Sequence, residues 1–311
     1  MKLAHSVVDW FAKGRGAIAL ALIAGVLLFG CGEKQPSPSS AQSAESSPAQ
    51  PSLPSQTQPP IAIKPVVVEP ATVAPKEQNV TLIAVGDNLI HVGLIKAART
   101  KDGYDFAPFY EEIRAIAQSA DIAFINQETL ISGKKFGYSG YPAFNGPVEI
   151  GKAIYDVGFR VINHATNHAM DKGKKALLAT IDYWKTKEDA IVLGVHASQA
   201  ERQKPKILEI KGAKFGFLAY TYGLNGIKLP KEAPYLVSLI DVKTMAKEID
   251  ELRALCDFLI VSMHWGEEYK HIPVKTQEKL AQFLADRKVD LVIGHHPHVL
   301  QTARWIERED G

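Results

Sequence analysis

The chain has 311 residues, 46% of them hydrophobic, and a formal net charge of +2 at pH 7. That is enough apolar material for a sizeable core, while a small charge spread over dispersed basic residues gives no electrostatic footprint for nucleic acid. The two cysteines, Cys31 and Cys256, are too few and too far apart for a thiolate cage, and Cys256 alone leaves no internal disulfide.

At the amino terminus, Lys2, Lys13 and Arg15 precede an apolar run of about 14 residues from Ala17 to Gly30. Such a run is short for a membrane span and suits the core of an export signal, so residues 1–31 are expected to be one. Leu28-Phe29-Gly30-Cys31 resembles a bacterial lipobox, in which the cysteine is lipidated and becomes the new amino terminus. An uncleaved amino-terminal anchor is the alternative, and Phe29 is larger than the residue usual at its position. Either reading places the rest of the chain outside the cytoplasm, tethered at the cell envelope membrane. Residues 32–78 are rich in Ser, Pro, Gln and Ala, a composition that reads as an extended, flexible tether. Residues 79–311 are then one large α/β domain.

Within that domain a strand is expected up to Asp87, a helix over Val92 to Arg99, another over Phe109 to Ser119, and a strand from Asp121. Ser132 to Gly146 is rich in glycine and holds Pro142, which excludes regular structure. A helix from Pro147 to Val157 leads to the strand Phe159 to Asn163, and Gly173 to Lys187 carries apolar residues at helical spacing. Strands follow at Ile191 to Val195, Ile207 to Ile210 and Phe215 to Tyr220, the last two joined by a tight turn at Gly212 that signals a hairpin. Amphipathic helices cover Asp241 to Leu255 and Thr276 to Arg287, and Cys256 opens an apolar run as a core thiol. Parallel units joined by helices, with one hairpin, describe a mixed-sheet α/β domain.

Five apolar runs end on an acid, an amide or a histidine: at Asp87, Glu128, His168, His264 and His298. Strands buried in parallel sheets read as continuous apolar runs, and ligands gather beyond their carboxyl ends. Of ten histidines, six (His164, His168, His264, His295, His296 and His298) fall in three of these segments. Imidazole, carboxylate and carboxamide form a hard-to-borderline donor set, suited to Mn, Zn, Fe or Mg. Asn126 and Glu128 offer two oxygens on one side of an extended backbone, although loop hydrogen bonding is the plainer reading of that pair alone. Trp265, Glu268 and Tyr269 look like a shaped wall beside His264. In His296-Pro297-His298 the proline fixes the backbone between two imidazoles, which in an extended chain project to one side, while His295 points the other way as a packing or supporting residue.

The segments GDNLIH, NQETLIS, NHATNHAMDKG, SMHWGEEY and GHHPHVLQ, in this order, resemble the bacterial CapA family, associated with poly-gamma-glutamate capsule synthesis and similar to calcineurin-like metallophosphoesterases. The resemblance runs from about Val80 to Gln301 and implies a calcineurin-like layered α/β/β/α sandwich with mixed sheets. It also implies one or two divalent ions, with Asp87, Glu128 and His298 around one, and Glu128, Asn167, His264 and His296 around the other. His168 matches the position that protonates a leaving group. Substrate contacts are expected from Asn126, Trp265, Glu268 and Tyr269. Two positions depart from the metallophosphoesterase pattern: Leu89 stands where a histidine ligand is usual, with His91 nearby and out of phase, and Glu128 replaces a bridging aspartate. The chain also stops soon after HPHVLQ, where the family continues into further core strands, so a truncated sheet with an exposed edge is expected. The implied roles are a metal-dependent, phosphoesterase-like hydrolase, or a non-catalytic subunit that grips an anionic polymer and joins it to membrane capsule synthase subunits.

Overall fold

The computed structural model describes residues 78–308. The expected signal, Cys31 and the tether up to residue 77 lie outside the described residues. Among the described residues no helix is long and apolar enough to cross a membrane.

Among the described residues two four-stranded sheets form the centre. The first is wholly parallel, in chain order: β1 (Leu82–Asp87), β2 (Ile122–Asn126), β3 (Val161–Asn163) and β4 (Ile191–Leu193). The second follows the same rule with one exception. Its first strand, β5 (Ile207–Ile210), is antiparallel to β6 (Ala213–Thr221), and β6, β7 (Phe258–His264) and β8 (Leu291–His295) then run parallel, leaving β8 at the edge. The hairpin turn is Lys211-Gly212, both with positive φ (51° and 79°), which is the backbone a two-residue I′ turn demands.

Among the described residues seven α-helices connect the strands: α1 (Val92–Ala97), α2 (Glu111–Ser119), α3 (Glu149–Val157), α4 (Gly173–Trp184), α5 (Gln199–Gln203), α6 (Val242–Arg253) and α7 (Lys275–Asp286). Their starts follow capping chemistry where the sequence supplies it. The Asp241 carboxylate accepts from the Thr244 N–H at 2.8 Å, and the Ser198 hydroxyl accepts from the Glu201 N–H at 3.1 Å.

Alternation along the strands sets the layers. Ile122 and Phe124 face Phe217, Ala219, Ile260 and Ile293 in a core between the sheets, while Ala123 and Ile125 pack outward against Ile150, Ile154 and Val157 of α3. On the second sheet Tyr220, Leu259 and Val261 pack outward against Met245 and Ile249 of α6 and Leu284 of α7. The result is the expected α/β/β/α sandwich. Full burial of a ring such as Phe124 or Phe217 stabilises it by roughly 2–3 kcal/mol. Cys256 is half-buried and free; its sulfur lies 2.7 Å from where a Cβ on Gly216 would stand, so glycine there lets the thiol pack against the sheet.

A candidate metal centre at the strand ends

The carboxyl ends of β1, β2, β3, β6, β7 and β8 open toward one set of polar side chains. Asp87 reaches it through a register shift: Leu82 pairs with Ile122 and Ala84 with Phe124, but Asp87 rather than Gly86 pairs with Asn126. That bulge turns the carboxylate from the helix-covered face to the face between the sheets. An amide relay holds it there, since the Asn163 Nδ2 donates to Asn126 Oδ1 at 2.6 Å and the Asn126 Nδ2 donates to Asp87 Oδ1 at 2.7 Å. The His296 N–H also donates to Asp87 Oδ2 at 3.2 Å, and His298 Nδ1 lies 2.9 Å from that oxygen. Burial alone would raise the Asp87 carboxyl, but the His298 hydrogen bond and the imidazoles of His264 and His295 outweigh it and hold the group well below the carboxylate range.

Glu128 follows β2 and has the opposite fate. Its side chain is buried, and neither carboxylate oxygen has a hydrogen-bond partner among the described residues. Burial, then the charge of Asp87, push it up to about 8, against the pull of His298 and His168. One Glu128 oxygen lies 3.5 Å from His264 Nε2 and 4.0 Å from His168 Nε2. Donor atoms of Asp87, Glu128 and His298 all fall within 4.8 Å of one another, and so do those of Glu128, His264 and His296.

His264, at the end of β7, is wholly buried, with Nε2 2.9 Å from Asn167 Oδ1 and its ring 4.9 Å from that of His296. Burial pushes His264 down to about 3 and both His295 and His296 to about 4, so these rings are neutral, the form in which imidazole binds a metal. Buried Nδ1 of His296 and both ring nitrogens of His295 lack hydrogen-bond partners among the described residues. Orphaned buried polar atoms are uncommon in native structures, and here acids, imidazoles and an amide converge on one spot. The donor set therefore fits a divalent cation of the Mn, Zn, Fe or Mg kind.

His168 is aimed rather than merely adjacent. Its Nδ1 lies 2.7 Å from Asp171 Oδ2, which also accepts the Phe144 N–H at 2.6 Å, and Phe144 packs edge-on against the ring at 4.7 Å. With Nδ1–H held by Asp171, Nε2 is left toward Glu128.

Several expectations need correction. Asn126 is not a substrate contact: it is fully buried, and its amide is used between Asp87 and Asn163. Trp265 is not a wall residue either, because strand alternation that sends His264 inward sends Trp265 outward, into the core with Tyr220, Met245 and Leu284. His296 and His298 do converge, with rings 5.9 Å apart, but through positive φ values of 95° and 55° and not an extended backbone. His295 faces inward with the strand, stacked on Phe124 at 5.5 Å, its Nδ1 3.9 Å from Asp87 Oδ1. His91 packs edge-on against Phe144 at 4.9 Å and belongs to none of the donor groups. Glu268 and Tyr269 lie exposed at the rim, Tyr269 with its ring 6.0 Å from His298.

Residues not singled out in the sequence complete the site: Asn163, Asp171, Tyr222 and Asn225. Tyr222 packs its ring 4.7 Å from His296, and Asn225 accepts from Asn167 Nδ2 at 3.2 Å. Asn163 ends an apolar strand, the same signal that marked the others. A cavity of about 770 Å³ lies apart from these donors, lined by Arg202, Lys206, Tyr235 and Glu248. There Arg202 and Glu248 pair at 2.8 Å, whereas the strand-end cluster leaves the Glu128 oxygens and His296 Nδ1 without hydrogen-bond partners among the described residues, so it is the better candidate for chemistry.

Comparison with known proteins agrees with the sequence resemblance. A family model described as "Bacterial capsule synthesis protein PGA_cap" matches residues 81–310. The capsule biosynthesis protein CapA of Bacillus anthracis is 33% identical over 155 residues, which cover 49% of this chain and 38% of that protein. The PGA biosynthesis protein CapA of Bacillus subtilis (strain 168) is 32% identical over 152 residues, covering 48% and 40%. The matched stretch thus spans about two fifths of these relatives. Among solved structures, a putative 5'-nucleotidase from Staphylococcus aureus superposes with a TM-score of 0.47 at 16% identity, covering 72% of this chain and 46% of that one.

Proposed function

The chain belongs to the bacterial capsule synthesis protein PGA_cap family, and on that premise we propose that it serves capsule-polymer synthesis at the cell envelope through a metal-dependent hydrolytic site. The polymer is poly-gamma-glutamate or a related polyanion, as the names of the Bacillus relatives suggest. The basic and apolar amino terminus with Cys31 supports export and membrane anchoring.

One observation carries the hydrolytic reading: a buried Glu128 carboxylate with both oxygens unpartnered among the described residues, facing Asp87 and three imidazoles. Asp87, Glu128 and His298 would hold one cation, and Glu128, Asn167, His264 and His296 a second. Such ions lower the pKa of a bound water and neutralise charge developing on a phosphoryl or acyl group. The chain's own groups do the rest. Asp171 holds the His168 Nδ1 proton, so a second proton taken up by the ring sits on Nε2, and that proton is the one the imidazolium would give to a departing oxygen or nitrogen. The amide relay keeps Asp87 from turning away.

A second reading, in which the protein binds the polymer for membrane synthase subunits and performs no hydrolysis, draws on Leu89, an apolar side chain where metallophosphoesterases place an imidazole. Metal content and turnover of bis(p-nitrophenyl) phosphate, measured on the same Mn-loaded sample, separate the two. Metal with EDTA-sensitive turnover supports the hydrolase; metal without turnover of phosphodiester or polymer moves the function to binding.

A further inference from the structure

Glu268 lies outside both ligand sets named above. We propose that Glu268 is a carboxylate ligand of this centre, closing it from the solvent side next to His298 and supplying a donor that Leu89 does not. The inference rests on the metal reading of the site.

Three observations carry it. A Glu268 carboxylate oxygen and ring nitrogens of His296 and His298 all lie within 4.8 Å of one another, and buried Nδ1 of His296 has no hydrogen-bond partner among the described residues. A neutral imidazole has a single lone pair, so His296 and His298 cannot each serve two cations. The three donor groups therefore reduce to two ions, with Glu268 at their rim. Asp87, Glu128 and His298 give the first ion only three protein donors, and Leu89 adds none, whereas hard divalent ions take more oxygen ligands.

The loop bearing Glu268 is also held in place. The Tyr269 N–H donates to the Pro297 carbonyl at 2.7 Å, which ties the residue after Glu268 to the turn between the two histidines. Gln301 Nε2 donates to the Lys270 carbonyl at 2.7 Å, and Gln277 Nε2 of α7 donates to Gln301 Oε1 at 2.9 Å. Gly266, with φ of 92°, leaves no space for a Cβ, which would stand 2.7 Å from the Gln277 amide. No lysine or arginine among the described residues pairs with Glu268 to draw it away.

The test is Mn²⁺ titration by calorimetry, with Co²⁺ absorption as a readout of ligand number, on full-length wild type, Glu268→Gln, Glu268→Ala and the neighbouring exposed control Glu267→Gln. The expected result is a loss of tenfold or more in affinity for one Mn²⁺ and an altered Co²⁺ visible band in both Glu268 variants, with Glu267→Gln as wild type. Wild-type affinity and an unchanged Co²⁺ spectrum in Glu268→Gln would overturn the assignment and leave the centre standing. A wild-type protein that binds neither ion would overturn the centre itself, and Glu268 with it. Glu268 is exposed, and matching urea midpoints check that the variants are folded.

Discussion

Replacing Glu128 by glutamine should stabilise the metal-free protein and abolish its stabilisation by metal. Burial and Asp87 raise the carboxyl from 4.5 to about 8. A raised folded-state pKa means that the native state binds the proton more tightly, so between pH 4.5 and about 8 stability falls as pH rises. A pH of 7 lies about 2.5 units above the ordinary value of 4.5, so at about 1.4 kcal/mol per unit keeping this group buried beside Asp87 costs roughly 3–4 kcal/mol. Glutamine keeps the shape and removes the ionisation, so Glu128→Gln should raise the melting temperature in EDTA by roughly 6–16 °C for a domain of this size. The same variant should lose the gain that saturating Mn²⁺ gives the wild type, about 3 kcal/mol at a hundredfold excess over Kd. Thermal melts of both proteins in EDTA and in Mn²⁺, at pH 5 and pH 7, give all the quantities. A Glu128→Gln protein that is less stable without metal at pH 7, or that keeps the full Mn²⁺ gain, would refute the reasoning, because the carboxylate would then have a partner other than a cation.

His168→Ala should lower turnover by roughly 10²–10⁴ while Mn²⁺ stoichiometry holds, and Asp171→Asn should lower it less; equal loss of metal and turnover would place His168 among structural residues. Burial lowers His164 and His196 to about 3, so both stay neutral in the fold and take up protons on unfolding between that value and 6.5. Stability should therefore fall as pH drops from 6.5 toward 3, and His164→Gln, which can still face Trp184 Nε1, should flatten that slope in urea titrations. Cys31→Ser should release the protein from membranes and remove a lipid mass increment; retention with no such increment in the wild type would point to an uncleaved anchor.

Strands were legible because residues buried on both faces must be apolar, so IAFIN and FLIVSM announce themselves, and the donors at their ends follow from chain direction. The Lys211-Gly212 turn was legible for its backbone demands. What could not be read was phase. Asp87 faces the site only because of the bulge after Val85, which no side chain signals. Asn126 and Asp87 share a face, yet which of them stays free depends on Asn163 from the next strand. The turn through His296 and His298 bends by positive φ, whereas alternation assumed an extended chain. Trp265 was decidable, since its neighbour His264 points inward and strand parity sends it out. The helix Gln199–Gln203 has no apolar periodicity, and only the Ser198 cap hints at it. Tyr222 and Asn225 enter the site from a loop after β6, a long-range placement that no local pattern encodes.

Anomalous diffraction from Mn²⁺-soaked crystals decides whether a cation sits at the strand ends. At least one peak is expected about 2.0–2.2 Å from a Glu128 oxygen, shared with Asp87 and His298 or with His264 and His296. Crystals saturated with Mn²⁺ that show no peak beside Glu128, or a peak only at some other place in the fold, would contradict that expectation.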